Sequence, residues 1–317
     1  MLWVLLLPLT TYTDGVIILL PPIPKVRKKH MNIKKVGKIN GCQDGAIYNS
    51  ILFRLDHLGN CSVYDLKELR KGEGCELTPL DTFKLDKHQT IVPHSNAVTF
   101  GCDFYKEDDE FPLLYSNIYN NYKNSDDKLL GVCCVYRIKR ENNNFSSELV
   151  QLIEIGFCED VDLWKATPEA HGERPFGNFV VDRDSKSYYA IVMKNEQRGT
   201  TYLKFDLPSV HEGKTDERFG IKKVVLSKND IKDRFDLEFH RFIQGAAVHR
   251  GKVYSTEGFY NDAVNRPAIR VIDLENKDMK YIDILSMGYK NEPEFIDFYG
   301  DACYYSDVEG NIYTLEI

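Results

Sequence analysis

Five times along this 317-residue chain a pair of small or polar residues runs straight into a short apolar strand, and no other feature restricts the fold as strongly. The copies are Gln43-Asp44-Gly45-Ala46-Ile47, His94-Ser95-Asn96-Ala97-Val98, Phe176-Gly177-Asn178-Phe179-Val180, Gln244-Gly245-Ala246-Ala247-Val248 and Glu292-Pro293-Glu294-Phe295-Ile296. A second strand follows each: Ile51 to Asp56, Leu113 to Tyr119, Ser187 to Met193, Lys252 to Thr256 and Ala302 to Asp307. Third strands come at Cys61 to Leu66, Cys133 to Ile138, Tyr202 to Leu207, Ile269 to Leu274 and Ile312 to Ile317. The first four units add a fourth, more polar strand at Thr78 to Asp86, Leu149 to Gly156, Lys222 to Ser227 and Lys280 to Leu285. Period-two alternation with β-branched and aromatic residues supports each assignment.

The fifth unit has no fourth strand of its own, but Asn32 to Ile39 resembles the fourth-strand copy Ile221 to Leu226. We therefore expect an all-β chain forming a five-bladed β-propeller, closed by an N-terminal outer strand that completes the last blade. Radial repetition of this kind protects most sheet edges. The expected domain runs over residues 31–317. Residues 1–30 carry two short apolar runs, no basic segment before the first, and Pro21-Pro22 after the second. They read as neither a signal nor a span, and we expect a non-native or mis-assigned extension.

The 48 acidic residues outnumber the 41 basic ones, for a net charge of -7, and both signs are spread along the chain. No general attraction to phosphate backbones follows, so nucleic acid and membrane are excluded as expected partners. The one basic cluster, around Lys25 to Lys38, reads as a solvated arm. Eight cysteines occur without a C-x-x-C pair or zinc spacing, several of them inside apolar runs. That usage fits reduced, buried thiols in a cytoplasmic protein, and we expect a monomer. A secreted chain is the alternative, for which Asn60-Cys61-Ser62 and Asn144-Phe145-Ser146 match the glycosylation sequon.

In a propeller the loops that lead into the innermost strands share one rim of the central channel. Gln43, Asp44, Asn96, Arg174, Asn178, Gln244, Asn291 and Glu292 are therefore expected to converge as ligand-binding residues. Glu257 and Glu294 are candidates for acid/base work if burial separates their pKa values, with His94 as a proton shuttle. Arg174 suits a carboxylate or phosphate. Asp44, Glu292 and Glu294 also offer hard oxygen ligands, although no cofactor or metal is expected. No nucleophile elbow, phosphate loop or dinucleotide fingerprint is present.

Phe242-Ile243-Gln244-Gly245, Val253 to Tyr260 and Ile269 to Leu274 together resemble the opening blade of the glutamine cyclotransferases, themselves five-bladed propellers. Asn291-Glu292-Pro293-Glu294-Phe295 is similar to a later motif of that family. The resemblance implies that Gln244, Glu257 and Asn291 line a pocket that cyclises N-terminal glutamine, with the Glu as acid/base. The function expected from the whole sequence is a ligand-binding propeller with a polar central pocket. It would act on, or bind, a small-molecule, glycan or peptide ligand by carboxylate chemistry. A non-catalytic interaction scaffold is the alternative.

Overall fold

The computed structural model describes residues 32–41, 43–71, 74–118, 129, 131–157, 178–195, 199–240 and 242–316. The expectation for residues 1–30, and Arg174, lie outside them. Strand β1 (Asn32–Lys38) comes first. Blade one holds β2 (Gly45–Tyr48), β3 (Ile51–Leu55), β4 (Asn60–Asp65) and, after the two-residue β5 (Cys75–Glu76), β6 (Asp81–Lys84). Blade two is β7 (Val98–Phe100), β8 (Leu114–Asn117), β9 (Val132–Glu141) and β10 (Asn144–Ile155). Blade three begins with β11 (Asn178–Asp182), β12 (Ser187–Asn195) and β13 (Gly199–Asp206). There follow β14 (Lys214–Thr215), β15 (Lys222–Leu226) and β16 (Asp233–Leu237). Blade four is β17 (Ile243–His249), β18 (Lys252–Glu257), β19 (Ala268–Asp273) and β20 (Asp278–Asp283). Blade five is β21 (Pro293–Tyr299), β22 (Ala302–Asp307) and β23 (Asn311–Glu316).

Among the described residues these strands form five sheets, so the chain is an all-β, five-bladed propeller. The innermost strands β2, β7, β11, β17 and β21 contact one another around a central axis. Strand β1 lies antiparallel on β23, from Asn32 opposite Glu316 to Lys38 opposite Asn311, as the fourth strand of blade five, and the short β5 runs parallel to its other edge at Gly37 and Lys38. The core is a series of apolar layers between neighbouring blades. Between blades one and two, for example, Phe53 meets Phe100 and Phe111 edge-on with ring centroids 5.3 and 5.2 Å apart. Cys61, Cys133 and Cys134 are buried side chains of these layers, and Cys303 is buried in blade five.

One strand differs from the sequence reading. Lys222 to Ser227, expected as the outer strand of blade three, pairs instead as β15, parallel to β10 on the edge of blade two. The outer strand of blade three is β16, antiparallel to β13. Packing explains the exchange. Phe235 and Leu237 alternate with charged residues along β16, and Phe235 stacks on Tyr202 at 4.9 Å. In β15, Val224 and Leu226 cover the layer built on Ile153 and Ile155. The long β9–β10 hairpin thus gains a cover for its otherwise free edge.

Each innermost strand starts at what we term the front end of the channel and turns into its partner at the back end. Among the described residues no helix is long and apolar enough to cross a membrane.

Candidate functional site

At the front end, the polar residues that begin the inner strands reach across the axis. Asp44 of blade one accepts the Val98 N–H of blade two through Oδ2 at 2.8 Å. Its other oxygen rests against Gly245 of blade four, where a Cβ would lie 2.8 Å from both Asp44 Oδ1 and the Glu294 carbonyl. Only glycine leaves room for that carboxylate. Asn96 Nδ2 donates to Ile243 O at 3.2 Å and to Gln244 Oε1 at 2.9 Å, and Gln244 Nε2 donates in turn to Glu292 Oε1. Asn117 Oδ1 accepts the backbone N–H groups of Asn96 and Ala97, while its Nδ2 donates to Asn178 Oδ1 at 2.9 Å. Asn178 Nδ2 completes the ring on Ile243 O. Asn96, Asn178, Gln244 and Glu292 are thus joined through side-chain bonds at this end, with Asp44 beside them against Gly245; Asp44, Asn96, Asn178, Gln244 and Glu294 are buried and Glu292 is half-buried.

Burial governs its electrostatics. Desolvation pushes the Glu294 carboxyl up to about 8, against the opposing charge of Arg54, and it raises Asp44 well above the usual carboxylate range. Glu292, half-buried, is raised by the same cause. Asp44 Oδ1, Asn96 Oδ1 and Glu294 Oε2 have no hydrogen-bond partner among the described residues. A neutral Glu294 at pH 7 holds a proton at the channel axis, the state a general acid or a hydrogen-bond donor requires.

The remaining candidates stand apart from this network. Gln43 is half-buried and pairs its backbone N–H with Leu55 O. His94 donates its N–H to His57 O and packs edge-on to that ring at 6.0 Å. Asn291 donates to Asp307 Oδ2. Glu257 sits between blades three and four, where its Oε2 accepts Arg270 Nε at 2.9 Å and lies 3.0 Å from His240 Nε2. The three residues that the cyclotransferase resemblance would gather into one pocket therefore have three separate sets of partners. Ser255 Oγ also lies 3.3 Å from His240 Nε2, on the nitrogen that Glu257 addresses. A Ser-His-acid relay needs the serine and the acid on opposite ring nitrogens, so this cluster is not one. Beside it a cavity of about 220 Å3 opens between Glu257, Arg266, Arg270 and Tyr281.

The back end holds a larger cavity, about 450 Å3, that the expected site did not include. Blade one contributes Asn49, blade three Asp182, Arg183 and Asp184, blade four His249, and blade five Asp297. Arg183 Nε donates to Phe100 O at 2.8 Å and Nη2 to Ile47 O at 3.2 Å, which fixes the guanidinium across three blades. Asp297 lies 3.8 Å from it, accepts the N–H groups of Ile47 and Phe298, and is raised by burial. His249 stacks on Phe298 at 4.1 Å, and burial with the nearby Arg250 lowers its pKa, leaving a neutral ring at pH 7. The signal in the sequence is a polar residue toward the far end of an inner strand, as in Val181-Asp182-Arg183 and Ile296-Asp297, whereas the expected site drew mainly on the residues that begin these strands. Among the described residues no group of three or more His, Cys, Asp or Glu is arranged to hold a metal.

No family model and no curated protein matches the chain. Among solved structures it is similar to the Saccharomyces cerevisiae Sqt1, at 9% identity and a TM-score of 0.35, covering 85% of this chain and 56% of that one. It is also similar to the WD40 beta propeller domain of Doa1, at 9% identity and 0.38, covering 90% and 97%. A third likeness is to virginiamycin B lyase from Staphylococcus aureus, at 9% identity and 0.40, covering 91% and 100%. Scores this low carry no argument, and the architecture rests on the five sheets themselves.

Proposed function

We propose that the protein is a ligand-binding propeller whose ligand, a small polar molecule, occupies the central cavity at the back end. The observation that carries this reading is the Arg183 guanidinium, held by carbonyls of blades one and two at the mouth of a cavity to which four blades contribute. Convergent polar groups around a concave site with perturbed carboxyl and imidazole groups are the usual ground for such an assignment. Arg183 suits a carboxylate or hydroxyl of the ligand, Asp182 and Asp184 suit its donors, and the flat His249 and Phe298 pair suits an apolar face.

The front-end residues Asp44, Asn96, Asn178, Gln244, Glu292 and Glu294 act in this reading as the floor of the channel, and Glu294 as its buried proton reservoir. A non-catalytic scaffold is the second reading, favoured by the exposed Phe242, Tyr260 and Val264 at the front of blade four. Thermal-shift screening against sugars, nucleotides, divalent ions and peptides with N-terminal glutamine separates the two. A ligand at about a hundredfold its Kd stabilises by about 2.7 kcal/mol. The Arg183→Met variant is expected to abolish that response while Glu294→Gln keeps it. An unchanged response in Arg183→Met overturns the back-end site, and silence across the screen with a binding protein captured on the front rim supports the scaffold.

A further inference from the structure

A third cavity, of about 260 Å3, lies at the front between blades four and five, and its walls are mainly phenol rings. Tyr305 and Tyr313 stack with centroids 4.6 Å apart, and Tyr289 stands edge-on to Tyr313 at 5.3 Å, so the rings form a corner. Tyr260, 61% exposed, supplies the outer wall. The Tyr289 hydroxyl is spent on Ile33 O at 2.7 Å and that of Tyr313 on Asp307 Oδ2 at 3.2 Å. Tyr305 is different: the residue is 1% exposed, and its hydroxyl has no hydrogen-bond partner among the described residues. A buried hydroxyl left unpaired calls for a specific explanation, and a ligand atom that it would bond is one.

The charge of the site narrows the ligand. Burial pushes the Tyr305 and Tyr313 phenols up, the Asp307 carboxylate adds to both shifts, and Asp307 itself lines the cavity as its acidic group. Aromatic faces attract cations through the ring quadrupole, most strongly where water is excluded. A hydroxyl oxygen accepts a hydrogen bond from an ammonium N–H. We propose that this cavity binds an alkylammonium group, its carbon stem against Tyr260 and Tyr313 and its N–H on the Tyr305 hydroxyl, with Asp307 as counter-charge. Lys290, exposed at the mouth, is the cation of this chain that competes for the site.

The test uses the full chain, NMR titration of the tyrosine ring signals, and butylammonium against its neutral counterpart 1-butanol. Butylammonium is expected to saturate and to bind at least tenfold more tightly than the alcohol. Tyr305→Phe and Tyr260→Ala should each weaken it at least fivefold, and Lys290→Ala should leave it unchanged or tighter. Both tyrosine changes are mild for folding, one removing a single oxygen and the other an exposed ring, and the amide spectrum of each variant verifies that. Equal affinity for the amine and the alcohol overturns the proposal, as does an unaltered affinity in both tyrosine variants. A parallel titration with N-acetyl-lysine methylamide identifies the source: tighter than butylammonium means a lysine side chain of a peptide, weaker means a free small amine.

Discussion

Glu294 shows how much a single buried carboxyl can dictate. Its folded-state pKa, about 8, lies above the ordinary value of 4.5, so between those limits the folded protein binds more protons than the unfolded chain. The contribution of Glu294 to stability therefore falls as pH rises from about 4.5 to about 8 and is constant outside that window, a loss on the order of 5 kcal/mol. Asp44, Glu292 and Asp297 are shifted in the same direction. His240, buried and lowered, opposes them by costing stability as pH falls below its ordinary 6.5. Glu294→Gln should accordingly flatten, though not abolish, the decline in urea-unfolding free energy between pH 5 and 8. A slope equal to that of the wild type would place Glu294 in water. Glu257 behaves differently, because its partner Arg270 is equally buried. Glu257→Gln leaves that guanidinium without a counter-charge and is expected to destabilise by about 3 kcal/mol in urea unfolding at pH 7. A loss under about 1 kcal/mol would mean that the pair is solvated and free for ligand chemistry.

At the level of elements, β1 is held by more than its ladder. Ile33 is buried, Lys35 Nζ donates to Asn311 Oδ1 at 2.6 Å, and Tyr289 reaches back to the Ile33 carbonyl. Removing residues 1–30 is expected to leave the melting temperature unchanged. Removal through Lys38 strips the outer strand from β23 and should lower it by at least about 5 °C, with dimers appearing in size-exclusion chromatography as the bare edge pairs with another copy. Equal melting of the two truncations would mean that β1 contributes nothing to the sheet. This strand is legible in the amino-acid sequence because its alternation matches the fourth strands. The exchange of β15 and β16 is not. Lys222 to Leu226 and Asp233 to Leu237 both alternate, and only the layer each one covers, Ile153 on one side and Tyr202 on the other, decides which blade it joins. Such a choice is made by tertiary packing, to which local periodicity is blind.

On the scale of the whole molecule, a repeat read from five weak copies predicts five sheets, because each inner strand must be apolar on both faces and must begin with something small or polar at the axis. The same logic locates Asp44, Asn96, Asn178, Gln244 and Glu294 together. It does not show which of them bond, Asn96 to Gln244 and Asn178 to Asn117, since that depends on side-chain lengths meeting across an axis, as when Gly245 admits the Asp44 carboxylate. Nor can spacing reveal the back-end cavity, whose residues are joined by Arg183 spanning blades far apart in sequence. Joining β1 to β23 has a consequence during synthesis. Asn32 leaves the ribosome well before its partner Glu316, because the strands of all the intervening blades lie between them in the chain. At roughly 5–20 residues per second, the nascent chain carries its first strand unpaired for tens of seconds, with four blades behind it unable to complete their circle. Throughout that interval the strand is open to chaperones or to a neighbouring nascent chain, until β23 arrives to cover it.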